Sequence, residues 1–422
     1  MTITDSISNR RSGVAAALLL AALSVSMTGC SSAKSGKSSA ATAPARTSAS
    51  QPAPAGAAWR GVANLPESAL DAAHRAKAQA LLDAGAMYLL RQRQGDGSWS
   101  TGRSTAAPPI TAMVLKALVQ HPGYGVEHPA VKRAYEVLLT FKQSDGGVYV
   151  AEEGGSSYTS AVALMALAAA KSPEYASHVK DLTAYLKSLQ IVAGAESTDG
   201  KAIAADDPNV GGLGYAKGAA SGDLSVVGMW MEALHEAGVP ADDPAMQQAM
   251  AFISRLQNNT ETNRMDWASQ GSNDGGFVYR FPKDAQGARS YGTMTYTGFK
   301  SFLYAGVKRD DPRVRAAFDW IRKYWRLDAN PNMPQAQSQA GLYYYYHVFA
   351  KALRAWGQDV ITDPEGAGHN WRHELIDHLA QRVRKDGSWV NNSDRWWEGH
   401  PVLATSFAML ALEEALKAPT QP

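Results

Sequence analysis

Cysteine is nearly missing from this chain of 422 residues, which has a single copy, Cys30. One cysteine excludes a disulfide within the chain, and it excludes a zinc site built from two or more thiolates. Neither sign of charge is in excess, because 41 Lys and Arg residues are balanced by 39 Asp and Glu residues. This balance excludes the basic surface of a nucleic-acid-binding protein, and it also excludes an acidic tail.

Regular alternation of apolar and polar residues is also absent, so the sequence predicts almost no β-sheet. One apolar stretch near the N-terminus, Gly13–Met27, is about fifteen residues long and too short to span a bilayer comfortably. Two arginines precede it, and it ends in Met27-Thr28-Gly29-Cys30. A charged start, an apolar middle and a small-residue end predict a secretory signal peptide over residues 1–29.

The segment Met27-Thr28-Gly29-Cys30 resembles the lipobox of bacterial lipoproteins. The resemblance implies that Cys30 is acylated and becomes the mature N-terminus, which gives a lipid anchor to the membrane in place of a transmembrane helix. The residue after it is Ser31 and not Asp. By the same resemblance, this implies sorting to the outer membrane, facing the periplasm. An ordinary cleaved signal peptide with an unrelated cysteine is the alternative.

Composition divides the remaining chain into three parts. Residues 30–57 consist almost entirely of Ser, Ala, Lys, Thr, Pro and Gly. Such a segment cannot bury a core, so it predicts a flexible tether. A folded domain is predicted over residues 58–418, and residues 419–422 form a short tail.

Within the folded domain, a glycine-rich turn that carries an aromatic residue recurs six times. The copies are Asp96–Trp99, Asp145–Tyr149, Gly211–Tyr215, Asp274–Phe277, Gly341–Tyr343 and Asp386–Trp389. An amphipathic helix is predicted before the turns, as in Pro129–Gln143, where apolar and charged residues fall on opposite faces. A polar residue followed by Pro marks the starts of such helices, as at His128, Ser172, Asp243 and Asp311.

The helix predicted after each turn is apolar on nearly all sides, which is typical of a helix buried from every direction. These helices are Thr111–Val119, Thr159–Ala170, Leu224–Ala237, Thr293–Gly306, Tyr343–Trp356 and Val402–Leu416. The unit is therefore an outer helix, a turn and an inner helix, repeated six times. We predict an all-α fold, an α6/α6 toroid in which six inner helices are ringed by six outer helices.

The Asp-Gly-Ser-Trp and Asp-Gly-Gly-aromatic turns resemble the QW-type repeats of squalene–hopene cyclases and of protein prenyltransferase β subunits. The likeness extends over nearly all of residues 60–417. It implies a terpenoid-cyclase-like toroid whose central cavity takes an isoprenoid. It says less about activity, because one fold hosts many functions.

The catalytic motifs of the known branches are missing. The sequence contains neither the D-x-D-D motif of squalene-type cyclases nor the D-D-x-x-D motif of magnesium-dependent terpene synthases. The acid pairs Asp206-Asp207, Asp242-Asp243 and Asp310-Asp311 precede Pro and are predicted to cap outer helices. The zinc site of the protein prenyltransferases needs a Cys within the toroid, and residues 58–418 contain none. The histidines His369, His373 and His378 are predicted to be surface residues, so we expect no metal and no cofactor.

Aromatic and weakly polar residues are concentrated near the turns and the starts of the inner helices. We predict a ligand-binding set from them, namely Tyr158, Trp230, Tyr291, Tyr296, Tyr343, His347, Trp396, Trp397 and His400. Packing between helices is the alternative role for each aromatic. At about 100° per helical residue, Tyr343 is predicted to share one face with Tyr346 and His347. Tyr344 and Tyr345 are predicted to point elsewhere.

Two acids are the catalytic candidates if the protein is an enzyme. Asp223 and Glu398 each lie near the start of an inner helix. The helix dipole at such a position is expected to lower the pKa of a carboxyl group, which is the wrong direction for a strong general acid. This expectation argues against simple cyclase chemistry.

Three functions are open at this point. The first is an envelope lipoprotein that binds an apolar or isoprenoid ligand, or docks a partner, without standard cyclase chemistry. The second is a divergent terpenoid cyclase, an isomerase acting on a prenyl chain. The third is a glycan-active enzyme, because α/α toroids also host polysaccharide lyases and hydrolases. The expected partners are accordingly an isoprenoid, lipid or glycan ligand and a membrane reached through the lipid anchor.

Overall fold

The computed structural model describes residues 65–102, 107–198, 200–283 and 288–419. The signal segment 1–29, Cys30 and the tether 30–57 lie outside the described residues, so their assignments remain predictions. Within the described ranges, none of the helices is both long and apolar enough to cross a membrane.

Helices dominate the described part of the chain. Six outer helices are α1 (Ala72–Arg91), α3 (Pro129–Leu139), α5 (Ala176–Ser188), α7 (Pro244–Ser254), α10 (Pro312–Lys323) and α12 (Trp371–Arg382). Six inner helices are α2 (Pro108–Gln120), α4 (Ser156–Ala169), α6 (Leu224–Glu236), α9 (Gly292–Tyr304), α11 (Leu342–Trp356) and α13 (Pro401–Leu416). A short helix, α8 (Asp266–Gln270), lies in the connection before α9.

The inner helices form a closed ring. Each packs against the next inner helix in chain order, and α13 packs against α2 to complete the circle. Outer helices cover this ring, and α1 contacts both α12 and α13, so the two ends of the domain meet at one seam. The α6/α6 toroid predicted from the repeats is therefore confirmed.

The turns are held by the same contacts in several repeats. In four copies, a backbone N–H near the end of the turn donates to a hydroxyl in the following inner helix. The donor and acceptor residues are 3.0–3.1 Å apart in the pairs Trp99–Thr111, Val148–Ser160, Phe277–Thr295 and Trp389–Thr405. Gly275 has a φ of +83°, and a Cβ there would lie 2.3 Å from the carbonyl oxygen of Ala316. Glycine is therefore required where that turn crosses an outer helix.

The predicted inner helices differ from the observed ones by three residues or fewer at each end. Asp243 and Asp311 cap α7 and α10, and each accepts a hydrogen bond from the backbone N–H two residues later. The capping role predicted for Asp206-Asp207 is wrong, because no helix begins there in the described chain. Asp207 accepts from the backbone N–H of Asn209 at 2.7 Å, which forms a turn instead.

The sheet content is small, as the absence of alternation predicts. Strand β1 (Val360–Thr362) pairs antiparallel with β2 (Gly368–Asn370) in a hairpin next to α12. His369 lies on β2, while His373 and His378 lie on α12. The core itself is formed by the inner helices and the inward faces of the outer helices.

Candidate ligand site at the mouth of the ring

The starts of the inner helices converge at one end of the ring, here called the mouth. Tyr158 in α4, Ser225 in α6 and Tyr344 in α11 lie in the first turn of their helices, and Tyr291 directly precedes α9. The three tyrosines are surrounded by protein on all sides, yet each retains accessible surface. Side chains that are enclosed and still accessible line a concave site.

Asp223 is the carboxylate of this site. It precedes α6 and caps it, because its Oδ1 accepts from the backbone N–H of Val226 at 2.9 Å. The residue is only 6% exposed. Burial raises the pKa of Asp223 to about 6, although the Val226 N–H and the Tyr279 hydroxyl both act to lower it. The predicted lowering by the helix start is therefore wrong in its net direction, since loss of hydration outweighs the cap.

Two further tyrosines extend the polar side of the site. The Tyr279 hydroxyl is close enough to Asp223 to lower the pKa of its carboxyl group, and it lies 3.5 Å from the Tyr215 hydroxyl. Burial, followed by the charge of Asp223, holds the pKa of both phenols well above the ordinary value, so both stay protonated at neutral pH. The mouth cluster, defined as Tyr158, Tyr215, Asp223, Ser225, Tyr279, Tyr291 and Tyr344, thus combines ring faces with hydroxyl groups.

A strained segment borders the mouth. Trp396 and Trp397 both have positive φ angles, of 59° and 68°. Two consecutive tryptophans in the left-handed region are costly and tend to occur at functional sites. Arg395, the residue before them, is close enough to Tyr291 to lower the pKa of its phenol, although burial keeps that pKa raised overall. The charge of Arg395 therefore acts on the mouth cluster.

Glu398, the second predicted acid, is engaged elsewhere. Its carboxylate accepts from the backbone N–H groups of Tyr343 and Tyr344 at 3.1 and 2.8 Å, and from the Asn391 side chain at 2.6 Å. It therefore caps α11 and ties the strained segment to that helix. Burial raises the pKa of Glu398 to about 7, against the effect of these donors. The predicted lowering of its pKa is wrong for the same reason as at Asp223.

Other predicted ligand-binding residues pack away from the mouth. Trp230 is fully buried, and its indole N–H donates to the carbonyl of Leu186 at the outer helix α5. The Tyr296 ring packs edge-on against Tyr345 and at a tilt against Phe349, while the Tyr343 hydroxyl donates to the carbonyl of Val390. The structure therefore does not bring these three side chains together with the mouth cluster.

The side chains of the run Tyr343–Tyr346 and of His347 are distributed over the helix faces differently from the prediction. Tyr343 does share a face with Tyr346, with ring centroids 5.5 Å apart. His347 lies instead beneath Tyr344, with centroids 6.4 Å apart. Tyr344 is therefore the residue of this run that faces the mouth, and Ser225 and Thr297 are close enough to lower the pKa of its phenol, although burial keeps that pKa raised overall.

Three predicted residues lie at the edges of the site. His347 is 1% exposed and forms its floor, where its Nε2 donates to Glu232 at 3.1 Å. Trp396 packs over Gly341, where a Cβ would lie 3.0 Å from its ring. His400 precedes α13, and its Nδ1 accepts from the backbone N–H of Val402 at 3.3 Å.

A buried ion network occupies the opposite end of the inner helices, here called the base. Glu232 pairs with Lys116 and Lys351 at 3.3 Å each, and it also bonds Lys300 and His347. Glu236 binds Lys116 at 2.8 Å, and Glu414 binds Lys351 at 3.4 Å. Burial alone would raise the pKa of Glu232, but the surrounding cations hold it well below the ordinary value. The base network is defined as Lys116, Glu232, Glu236, Lys300, Lys351 and Glu414.

Tyr215, Ser225 and Tyr279 were not among the residues predicted to bind a ligand. Tyr215 ends one of the glycine-rich turns, and Tyr279 follows another by two residues. Position relative to the turn is thus a signal that could have found both tyrosines. Ser225 has no comparable signal, because it is a small polar residue of a kind common at helix starts.

Comparisons with known proteins support the fold. No protein-family model matches this chain, and no curated protein matches it in sequence. A structure of the type II terpene cyclase MstE from Scytonema with its product merosterolic acid A is similar, with 14% identity, a TM-score of 0.53 and coverage of 82% of this chain and 98% of that one. The same cyclase with its substrate geranylgeranyl dihydroxybenzoate gives 15% identity, a TM-score of 0.51 and the same coverage. The fold is therefore a terpenoid-cyclase-like α/α toroid.

Proposed function

We propose that the mouth of the toroid binds an isoprenoid or a similar apolar chain, and that the protein is held at the cell envelope by acylated Cys30. The observation that carries the proposal is the convergence of Tyr158, Tyr291 and Tyr344 in a concave site. Tyrosine rings offer large apolar faces at little entropic cost. Aromatic walls with a few convergent polar groups are typical of small-molecule sites.

The polar groups lie together on one side of this site, which suggests how a ligand would be oriented. Asp223, Tyr279 and Tyr215 form a series of one carboxyl group and two hydroxyls that lie next to one another. A prenyl chain with a hydroxyl or phenol head would place that head against this series and its chain against the other rings. The fold's likeness to a cyclase solved with a geranylgeranyl substrate supports the same ligand class.

A second candidate is acid-initiated cyclisation of the bound chain. The specific observation in its favour is the pKa of about 6 at Asp223, which burial raises. An acid with a pKa near the working pH is suited to general acid catalysis. In this scheme the Asp223 carboxyl donates its proton to a terminal alkene, the aromatic faces stabilise the resulting carbocation, and loss of a proton ends the reaction.

A glycan-active function has weaker support. Glycoside hydrolysis needs two carboxyl groups that face each other across the substrate. Within the described chain, Glu398 has its oxygens engaged by three donors as the cap of α11. Asp223 would therefore need a different partner.

The test is a titration of the full chain, purified in detergent, with geranylgeraniol and with a saturated alcohol of equal length. We expect saturable binding at one site, and at least fivefold weaker binding by Tyr344→Ala. Incubation with geranylgeraniol followed by product analysis separates the two candidates. Binding without a new product supports a binding protein. A cyclised product that the wild type forms and the Asp223→Asn variant does not form supports a cyclase. If neither alcohol binds saturably, the proposal is overturned.

The envelope anchor has its own test. Metabolic labelling with a fatty acid is expected to mark the wild-type chain and not Cys30→Ser. The labelled chain should sediment with the outer membrane. A soluble, unlabelled wild-type protein would contradict the anchor while leaving the ligand site untouched.

A further inference from the structure

A cluster of histidines and carboxylates lies at the seam where the toroid closes. Asp71 and His74 belong to the start of α1, and His373 and Asp377 belong to α12, so the cluster joins segments about 300 residues apart. The cluster lies on the outside of the ring, on outer helices and not on the inner helices that form the mouth. It is half-buried, with the side chains of His74, His373 and Asp71 keeping 19%, 23% and 33% of their surface.

The ligand atoms of three residues already lie close together. One atom each from Asp71, His74 and His373 falls within 4.8 Å of the others. The Asp71 carboxylate is 2.9 Å from His74 Nδ1 and 3.8 Å from His373 Nε2. Two imidazoles and a carboxylate are a donor set that suits zinc and its neighbours among the divalent transition metals.

The hydrogen bonds around the two rings indicate which nitrogen of each ring could act as a ligand. The backbone N–H of Asp71 donates to His373 Nε2 at 3.3 Å, so that nitrogen carries a lone pair. Each ring nitrogen of His74 lies next to a carboxylate. Nδ1 lies 2.9 Å from Asp71, and Nε2 lies 3.3 Å from Asp377. A neutral imidazole has one N–H. If Nε2–H bonds Asp377, the contact between Nδ1 and Asp71 requires either a second proton or a cation.

Asp377 provides the supporting contact that metal-binding histidines commonly have. A ligating imidazole usually donates its other N–H to a carboxylate, which fixes the ring and increases its basicity. Asp377 does this for His74, and Lys77 holds Asp377 in turn at 2.5 Å. Asp71 and Asp377 carry two negative charges against the single charge of Lys77, so a divalent cation is electrostatically favoured.

We propose that Asp71, His74 through Nδ1 and His373 through Nε2 bind a divalent transition metal ion of the zinc class. Asp377 is the positioning residue, and solvent completes the coordination. The ion would connect α1 to α12 and so link the first outer helix to the last. Its expected role is to stabilise ring closure.

Binding requires one local movement. The His74 and His373 rings are now stacked, with centroids 3.9 Å apart and planes 3° from parallel. The lone pairs of stacked rings lie in two parallel planes and cannot meet at one ion, so one imidazole must rotate about its Cβ–Cγ bond to bind a shared ion. Loss of the stack gives a spectroscopic readout, because the ring-current shift on each imidazole proton should disappear when metal binds.

The test uses the full chain in detergent, treated with a chelator and then titrated with Zn²⁺ and with Co²⁺. We expect one ion per chain, visible absorption of bound Co²⁺, and a higher melting temperature with Zn²⁺. His74→Ala and His373→Ala should each weaken binding at least 100-fold, and Asp377→Asn should weaken it about tenfold. His378→Ala is the matched control, because His378 lies on the same helix and bonds Arg382 instead.

Two outcomes would overturn the proposal. One is the absence of stoichiometric metal binding by folded wild-type chain. The other is unchanged affinity in the double variant of His74 and His373. If an alanine variant does not fold, His373→Gln keeps a similar side-chain volume, and the circular dichroism of each variant shows whether it is folded before metal is added.

Discussion

The two ends of the inner-helix ring are built from different chemistry. The mouth has tyrosine rings, hydroxyls and the carboxyl group of Asp223, and several of its side chains keep accessible surface. The base has lysines and glutamates, and Lys116, Glu232 and Lys300 are each only 1% exposed. Both ends belong to the same six helices, so the difference arises from which residues stand at their two ends.

The base behaves as a closed polar core. Its charges are paired with each other, and few are in contact with solvent, as a buried ion network requires. Burial holds the pKa of Glu413, next to Glu414, well above the ordinary value. Gln120 bonds this carboxyl group, and Lys417 in turn donates to Gln120 at 2.6 Å.

The mouth has the opposite balance, since its groups are polar but mostly uncharged. Neutral hydroxyls and ring faces can exchange water for an apolar ligand at small cost, whereas separated ion pairs cannot. The comparison therefore indicates that the mouth is the place where a ligand enters and that the base fixes the ring.

The largest effect is expected at the base. Glu232→Gln leaves Lys116, Lys300 and Lys351 without their shared carboxylate in the buried centre. Breaking a buried pair by removing one partner costs about 3–5 kcal/mol of unfolding free energy. Urea denaturation measures this loss.

Glu136→Gln is the control for that variant, because Glu136 pairs with Arg133 at an exposed site. A surface pair contributes less than about 1 kcal/mol. Equal losses in the two variants would contradict the view of the base as a buried structural network.

The second effect is a pH dependence at the mouth. The folded pKa of Asp223 is about 6, above the ordinary aspartate value of 3.8. Between these values the folded state binds more protons than the unfolded state, so stability falls as pH rises and levels off above pH 6. The difference of about two pKa units corresponds to about 3 kcal/mol.

Asp223→Asn removes this titration and keeps a residue that caps helices well. We expect its stability relative to wild type to increase from pH 4 to pH 7. Urea unfolding at both pH values measures the change. Parallel curves for the two proteins would show that Asp223 titrates normally, and the mouth would then have no unusual acid.

The third effect concerns ligand binding. Loss of one aromatic contact costs about 1 kcal/mol, so Tyr291→Ala should weaken binding of a prenyl alcohol about fivefold. Tyr291→Phe keeps the ring and should change affinity little. Fluorescence titration measures both. If the Phe variant loses as much affinity as the Ala variant, the hydroxyl and not the ring face binds the ligand.

The positions of the inner helices could be predicted from sequence because their apolar runs are long and each follows a recognisable turn. Asp223, Tyr158 and Tyr291 could be placed at the mouth for the same reason, since the start of a helix fixes its end of the ring. Their pKa directions could not be predicted, because desolvation depends on neighbours from other helices.

The orientation of residues inside the inner helices could not be predicted. A helix that is apolar all round has no polar face to fix its rotation, so Trp230, Tyr296 and Tyr343 were assigned to the cavity and instead pack outward. The base network was missed for a related reason. Lys300 and Glu232 are isolated charges in apolar helices, and only the closed ring brings them together.

The most direct test of the account is photo-crosslinking with a prenyl alcohol that carries a diazirine at the end of its chain. The full chain is irradiated with the bound probe, digested, and mapped by mass spectrometry. We predict crosslinks at the mouth, in the peptides containing Tyr158, Tyr291 or Tyr344, and competition by unlabelled geranylgeraniol. Crosslinks confined to the outer helices or to residues around Glu232, without competition, would contradict the account.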